Sequence, residues 1–162
     1  MRKLAAVAVL MLTAISVLAF RPAAVSPAPS IEGAWRIVAF APLIGPQAGV
    51  EIEITQPSLH VFTERHFATV FVSGTEPRAP LPEDPTDEQL LAAWAPLQAM
   101  AGTYEIDGNE IRTSLIVSKS PNDTADRKIE TSTFEIDGEV FYRFWPDERG
   151  VPAVKVKHVR VG

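Results

Sequence analysis

After residue 30 the chain consists mainly of short apolar runs in which hydrophobic and polar positions alternate. The clearest run is 50–55, where Val50, Ile52 and Ile54 alternate with Glu51, Glu53 and Thr55. This two-residue period is typical of a half-buried β-strand. Nine runs of similar β-rich character are strand candidates, and they predict about eight strands in all. The candidates are 31–40, 50–55, 59–63, 66–72, 103–106, 110–119, 128–136, 139–145 and 153–161.

The turns between these runs predict how the strands are connected. Asp107-Gly108 and Asp137-Gly138 each separate two strand candidates, and Asp-Gly in this position is a strong signal for a two-residue β-hairpin. Residues 74–85 carry four prolines and several acids, which is typical of a loop. Many short strands joined by sequential hairpins favour an all-β protein, either an up-and-down barrel or a sandwich.

One segment, residues 86–100, has helical rather than β periodicity. Thr86 is a suitable N-cap, Gln89 stands three residues later, and apolar residues including Trp94 recur at helical spacing. Pro96 predicts a kink or an end near Ala95. The apolar stripe either seals one mouth of the fold or forms a lid in which Trp94 touches a ligand.

The N-terminus predicts export. Arg2 and Lys3 precede an apolar run that extends to Phe20, and small residues occupy the positions that a signal peptidase reads. Residues 1–19 are therefore interpreted as a signal peptide, 20–30 as a Pro- and Ala-rich flexible linker, and 31–162 as the folded domain, located in the periplasm or secreted. The alternative is an uncleaved anchor, although the run is short for a bilayer span.

Charge and composition exclude several classes of partner and chemistry. The net charge is -5, and removal of Arg2 and Lys3 with the leader makes it more negative, so no nucleic-acid partner is expected. The absence of cysteine excludes disulfides and thiolate chemistry. There is no Gly-x-Ser-x-Gly elbow and no phosphate-binding loop. No catalytic residue is therefore predicted.

The motif Gly33-Ala34-Trp35 opens the first strand, and Arg160 lies in the last. With the stretches 56–67, 85–94, 101–106 and 116–119, it resembles bacterial lipocalin-like domain proteins, a family of calycin-type barrels. The resemblance implies an eight-stranded antiparallel up-and-down β-barrel over 31–162, in which Trp35 closes one end and Arg160 packs across it. The second and third lipocalin motifs are not seen, nor is a helix just before the last strand.

Strand alternation then predicts which side chains face the barrel interior. If Lys155 and Lys157 face water, Val154, Val156, His158 and Arg160 face inward. The same reasoning places Gly33, Trp35, Ile37 and Ala39 inside the first strand, and Tyr104 and Ile106 inside a later one.

Residues 139–145 allow two orientations. If Arg143 faces water, then Val140, Tyr142 and Phe144 line the interior, and this orientation is preferred. The opposite orientation lines the interior with Phe141, Arg143 and Trp145, which would form a charged and aromatic pocket.

The three histidines are the candidates for metal or haem binding. His60, His66 and His158 lie far apart in sequence and lack the short spacing of metal-ligand pairs. A three-histidine site or a single haem ligand is an alternative. The preferred interpretation is that His60 and His66 flank a turn and that a neighbour satisfies His158 in the interior, so no cofactor is predicted.

The leading functional hypothesis is a module that binds a small apolar or amphiphilic molecule. Its expected ligand-binding residues are Tyr104, Tyr142, Phe144, His158 and Trp94. A barrel enzyme of the isomerase or cyclase type, with His158 and Tyr142 as its acid-base pair, is one alternative. A ligand-free interaction module is the other.

Overall fold

The computed structural model describes residues 30–125 and 129–162, and these form one antiparallel β-sheet with two short helices. The predicted signal peptide and nearly all of the predicted linker lie outside the described residues, as does Lys128 at the start of one predicted strand. In chain order the elements are β1 Gly33–Pro42, β2 Ile52–Glu53, β3 Ser58–Phe62, β4 His66–Val72, α1 Asp87–Trp94, β5 Leu97–Asp107, β6 Glu110–Ser118, α2 Asn122–Ala125, β7 Ile129–Asp137, β8 Val140–Pro146 and β9 Pro152–Arg160.

The sheet closes on itself. Each strand from β3 to β9 pairs with the next along the chain, β1 pairs with β3, and β9 returns to pair with β1. The first residues of β1 pair with β3, and its later residues Ala39 and Phe40 pair with the two-residue strand β2. The strands β2 and β3 therefore share one position in the barrel. The result is a closed eight-stranded up-and-down barrel, as expected, and not a sandwich. Closure satisfies the backbone groups that an open sheet would leave at its edges.

Both predicted Asp-Gly hairpins are confirmed. The register pairs Asp107 with Glu110 and Asp137 with Val140, which leaves two residues in each loop. Gly108 and Gly138 have φ values of 60° and 58°. Each glycine is the first residue of its loop, and glycine adopts this left-handed conformation without steric cost.

The predicted helix is shorter than its periodicity suggested. Thr86 and Gln89 form the expected capping box, with mutual hydrogen bonds of 2.9 and 3.3 Å, but α1 ends at Trp94. Pro96 cannot continue a helix, and residues 97–100 instead pair with β4 as the start of β5. The Lys119 ammonium donates to the carbonyls of Trp94 and Ala95, at 2.6 and 2.9 Å, and so satisfies the free C-terminal end of α1.

The hydrophobic core fills one end of the barrel around Trp35, which is fully buried. The Trp35 ring lies 5.4 Å from that of Phe141, and its Nε1 donates to the Ile31 carbonyl at 2.6 Å. The remaining buried members of this cluster are Phe62, Phe67, Tyr104 and Ile111. The cluster leaves the other end of the barrel, where β3 begins and β4 ends, for a cavity.

The predicted contact between Trp35 and Arg160 is confirmed. The two residues are register partners, and the guanidinium carbon lies 4.1 Å from the indole centroid. Arg160 also donates to the carbonyls of Glu32 and Ser30, at 2.9 and 3.2 Å, which ties the entry of the chain to its last strand. Gly33 has φ 120°, and a Cβ there would lie 2.5 Å from the Arg160 guanidinium. This explains glycine in the motif.

Two predicted inward positions are corrected. The β1–β9 register shifts between Ile37 and Ala39, so that Phe40 lines the interior while Ala39 is buried outside the cavity lining. A bulge of this kind changes which side chains face inward. Ile106, at the hairpin end of β5, is 45% exposed rather than interior. No helix in the described part of the chain is long and apolar enough to cross a membrane.

Candidate ligand-binding cavity

The open end of the barrel encloses a cavity of about 500 Å³. Most of its wall is apolar and comes from strands on both sides of the barrel, including Ile37, Phe40, Phe71, Leu115 and Val156. A smaller set of polar residues lies among them, namely Ser58, His60, Thr69, Ser73, Thr113, Glu130, Arg143 and His158. An apolar wall with a few placed polar groups is the usual composition of a small-molecule site.

The orientation of β8 determines the most polar part of this wall, and the preferred prediction for it is wrong. Phe141 and Arg143 are buried, and Arg143 and Trp145 line the cavity. The register pairs Phe141 with His158, so the inward face of β9 sets the inward face of β8. Tyr142 and Phe144 therefore lie on the other face of β8, where the Lys155 ammonium sits 4.2 Å from the Tyr142 ring centroid.

Arg143 is a buried cation that its surroundings only partly satisfy. Its Nε donates to Ser132 Oγ at 2.7 Å, and its guanidinium carbon lies 3.9 Å from the Trp145 ring centroid. Its Nη2 is buried and has no hydrogen-bond partner. Burial lowers the pKa of Arg143 to about 10, against which the Glu130 carboxylate acts to raise it. The guanidinium therefore remains charged at neutral pH.

His60 and His158 meet edge to face beside Arg143, with ring centroids 4.9 Å apart. His158 Nδ1 lies 3.2 Å from the Phe141 carbonyl. Because a carbonyl only accepts, Nδ1 must carry the proton. His60 Nδ1 lies 3.3 Å from Thr69 Oγ1, whereas its Nε2 is buried without a partner.

Both imidazoles are neutral at physiological pH. Burial lowers the pKa of His60 to about 3, helped by the nearby charges of His158 and Arg143. Burial likewise lowers the pKa of His158 to about 4, although its bond to the Phe141 carbonyl acts in the opposite direction. In the neutral state each ring has one N–H donor and one acceptor nitrogen. The cavity wall thus contains the Arg143 cation and two neutral histidines, together with the Glu130 carboxylate.

Of the five residues predicted to touch a ligand, only His158 lines the cavity. Tyr104 belongs to the core at the closed end, and its hydroxyl donates to the Thr63 carbonyl. Trp94 is 56% exposed on α1, which buries none of its residues. The predicted seal or lid is therefore wrong, since the apolar stripe of α1 faces solvent.

Two residues of the cavity wall were not expected there from the sequence. His60 is not among the predicted ligand-binding residues, and the observed inward orientation of Arg143 is the less favoured of the two alternatives. His60 was interpreted as flanking a turn, but it pairs in register with Trp35 and so shares the inward face of the sheet. His66, the other histidine at that turn, is exposed. The three-histidine arrangement is therefore not formed, and the described residues contain no group of three or more candidate metal ligands.

The strand order, the closure by Trp35 and Arg160, and the partly polar cavity define the class as a lipocalin-like β-barrel. No family model and no curated protein matches the sequence. The solved structures that match include two that are similar over 80% of this chain. One is an uncharacterized protein from Bacteroides eggerthii, with 11% identity, 98% of that chain covered and a TM-score of 0.45. The other is a lipocalin-like protein from Bacteroides uniformis, with 14% identity, 97% covered and a TM-score of 0.46.

Proposed function

We propose that the protein is exported and that its barrel binds one small amphiphilic molecule inside the cavity. The observation that carries this proposal is the cavity of about 500 Å³ with a largely apolar wall and a buried polar cluster. Its volume falls within the roughly 300–1,000 Å³ common for small-molecule sites. An apolar tail would be removed from water against residues such as Phe40 and Leu115, while a polar end meets Arg143 and the histidines.

A neutral fluorescent probe tests whether the cavity accepts a ligand. We expect N-phenyl-1-naphthylamine to bind the purified protein with one site per chain and with increased emission, because the apolar wall excludes water from the dye. Native mass spectrometry of the same sample measures whether a molecule co-purifies and gives its mass. A protein without bound ligand that also fails to take up the probe would contradict the proposal.

A pair of leucine substitutions locates the bound probe. Leu115→Trp adds volume inside the cavity, whereas Leu59→Trp adds the same volume at a position that is 46% exposed on the outer face. We expect the first variant to lose most probe binding and the second to retain it. Thermal unfolding of both variants checks that they fold, since overfilling a packed interior can itself destabilise a protein.

Export is the second part of the proposal and rests on the charged and apolar start of the sequence. Expression of the full chain in a Gram-negative host is expected to yield a periplasmic product that begins at Phe20. The intact mass of the recovered protein measures this directly. Recovery of the uncleaved chain in the membrane fraction would instead support the anchor.

The two alternative functions fare differently. The enzyme hypothesis relied on His158 with Tyr142, and this pair is not formed because Tyr142 lies on the opposite face of β8. A ligand-free interaction module is favoured by one observation, an exposed apolar strip on the outer face of β3, β4 and β6 that includes Leu59, Val70 and Val117. Absence of probe binding in the experiment above would support that alternative.

A further inference from the structure

We infer that the preferred ligand is an amphiphilic monocarboxylate, whose carboxylate accepts hydrogen bonds from Arg143 Nη2 and His60 Nε2. The inference rests on the proposed function, because it names the chemical class that the same cavity receives. Two buried polar atoms without partners carry it, and these atoms belong to side chains on two different strands, β8 and β3.

The first of these atoms belongs to a cation that the fold holds in place but does not saturate. Ser132 fixes the Nε side of the Arg143 guanidinium, and Trp145 covers its face. Nη2 is left buried without a partner. A buried charge without full hydrogen bonding is costly. A carboxylate matches the planar guanidinium better than any neutral head group, because its oxygens accept charge-assisted hydrogen bonds in the same plane.

The second atom supplies a neutral donor next to this cation. If the Thr69 hydroxyl donates to His60 Nδ1, the proton of the neutral ring resides on Nε2, a buried atom without a partner on a side chain that lines the cavity. Arg143 is close enough to contribute to the lowered pKa of His60. Both side chains also line the same cavity, and the inference is that one head group reaches both. An alcohol would also accept from these donors, but without the charge that Arg143 favours.

The Glu130 carboxylate reduces the preference of the cavity for a negatively charged head group. It lines the same cavity, is half-buried at the start of β7, and acts to raise the pKa of Arg143. Among the described residues that line the cavity, Glu130 and Arg143 are the acidic and the basic residue. Glu130 thus offsets part of the positive potential and opposes a bound anion. A head group with one negative charge is better tolerated there than one with two.

Three probes with the same ten-carbon chain test the inference: decanoate, decan-1-ol and decylamine. Each is titrated into the purified mature protein at pH 7.5, with displacement of N-phenyl-1-naphthylamine as the readout. We expect decanoate to bind about tenfold or more tighter than decan-1-ol, because hydrogen bonds to charged groups are stronger than neutral ones. Decylamine is expected to bind weakest, because its ammonium faces Arg143.

Variants then assign the preference to particular side chains. Arg143→Met is expected to weaken decanoate binding by about 10- to 100-fold and to change decan-1-ol binding little. Arg143→Lys retains the charge without the planar fork and is expected to have a smaller effect. Glu130→Gln is expected to tighten decanoate binding several-fold, since it removes the opposing carboxylate, whereas Glu135→Gln, on the exposed face of the same strand, is expected to leave it unchanged.

The outcomes separate this inference from the proposed function. Equal affinity for the three probes, or tightest binding of decylamine, overturns the carboxylate inference while leaving an amphiphile-binding cavity in place. Failure of all three probes and of the naphthylamine dye overturns the proposed function itself. If Arg143→Met does not fold, the comparison of head groups on the unmodified protein and the opposite effect of Glu130→Gln still decide the question.

Discussion

Acidification from pH 7 to pH 4 is expected to destabilise the barrel by several kcal/mol, and the loss traces to two buried histidines. Burial lowers the pKa of His60 to about 3 and that of His158 to about 4, from an unfolded value of 6.5. Between these values the unfolded chain binds protons that the folded barrel does not. The two histidines therefore cost no stability above about pH 6.5 and destabilise the barrel as the pH falls below it, by on the order of 3 kcal/mol for each histidine at pH 4.

Urea denaturation at pH 7.5 and pH 4.5 measures this loss. His60→Gln and His158→Gln are each expected to reduce the difference between the free energies of unfolding at the two pH values. His66→Gln serves as the control, because His66 is exposed and its substitution is not expected to alter the pH dependence. Parallel pH profiles for the unmodified protein and all three variants would show that the two buried rings do not control acid stability.

Trp35→Ala is expected to be the most destabilising single substitution in the closed end of the barrel. The side chain is fully buried, packs on Phe141 and Arg160, and donates to the Ile31 carbonyl. Removing a buried Trp side chain typically costs about 3–5 kcal/mol, because the lost apolar burial is accompanied by a cavity. Chemical denaturation at pH 7.5 gives the change in the free energy of unfolding.

Trp94→Ala provides a matched control for this prediction. Trp94 is 56% exposed, and its main ring contact is with the Lys119 ammonium at 5.4 Å from the ring centroid. Its loss is expected to cost less than about 1 kcal/mol, in keeping with a solvent-exposed cation–π contact. Equal destabilisation by the two substitutions would contradict the assignment of the core to the Trp35 end.

The sequence carried most of the information on the barrel because that information is local and periodic. Period-two alternation predicted most of the strands, Asp-Gly predicted the two tight hairpins, and capping chemistry predicted the start of α1 after Thr86. The strand predicted at 50–55 is wrong in extent, because only Ile52–Glu53 forms a strand there. The pairing of Trp35 with Arg160 joins the two ends of the chain. That contact came from the resemblance to lipocalin-like proteins rather than from any local signal.

The end of α1 could not be predicted in the same way. Leu97 and Met100 continue the apolar spacing of the helix, yet they belong to β5 and pair with Val72 and Thr69. Short apolar segments fit both a helix and a strand, and the choice here depends on the free edge of β4. The prediction that Trp94 covers the barrel mouth depends on a helix that extends to residue 100. Because α1 ends at Trp94, this prediction is also wrong.

The cavity was predicted least well, because its polar groups violate the rule that charged residues face water. The preferred prediction places Arg143 in solvent. Because side chains alternate along a strand, it then wrongly places Tyr142 and Phe144 in the interior. The actual orientation is fixed by a tertiary contact, the pairing of Phe141 with His158. A barrel that buries a cation beside Ser132 and Trp145 departs from the usual pattern, and such departures often mark functional positions.

A crystal structure of the protein grown with decanoate tests the central claim most directly. The account predicts one alkyl chain inside the barrel along Phe40 and Leu115, with carboxylate oxygens within hydrogen-bond distance of Arg143 Nη2 and His60 Nε2. A cavity that contains only ordered water bonded to these two atoms, or decanoate bound solely on the outer face of the strands, would contradict it.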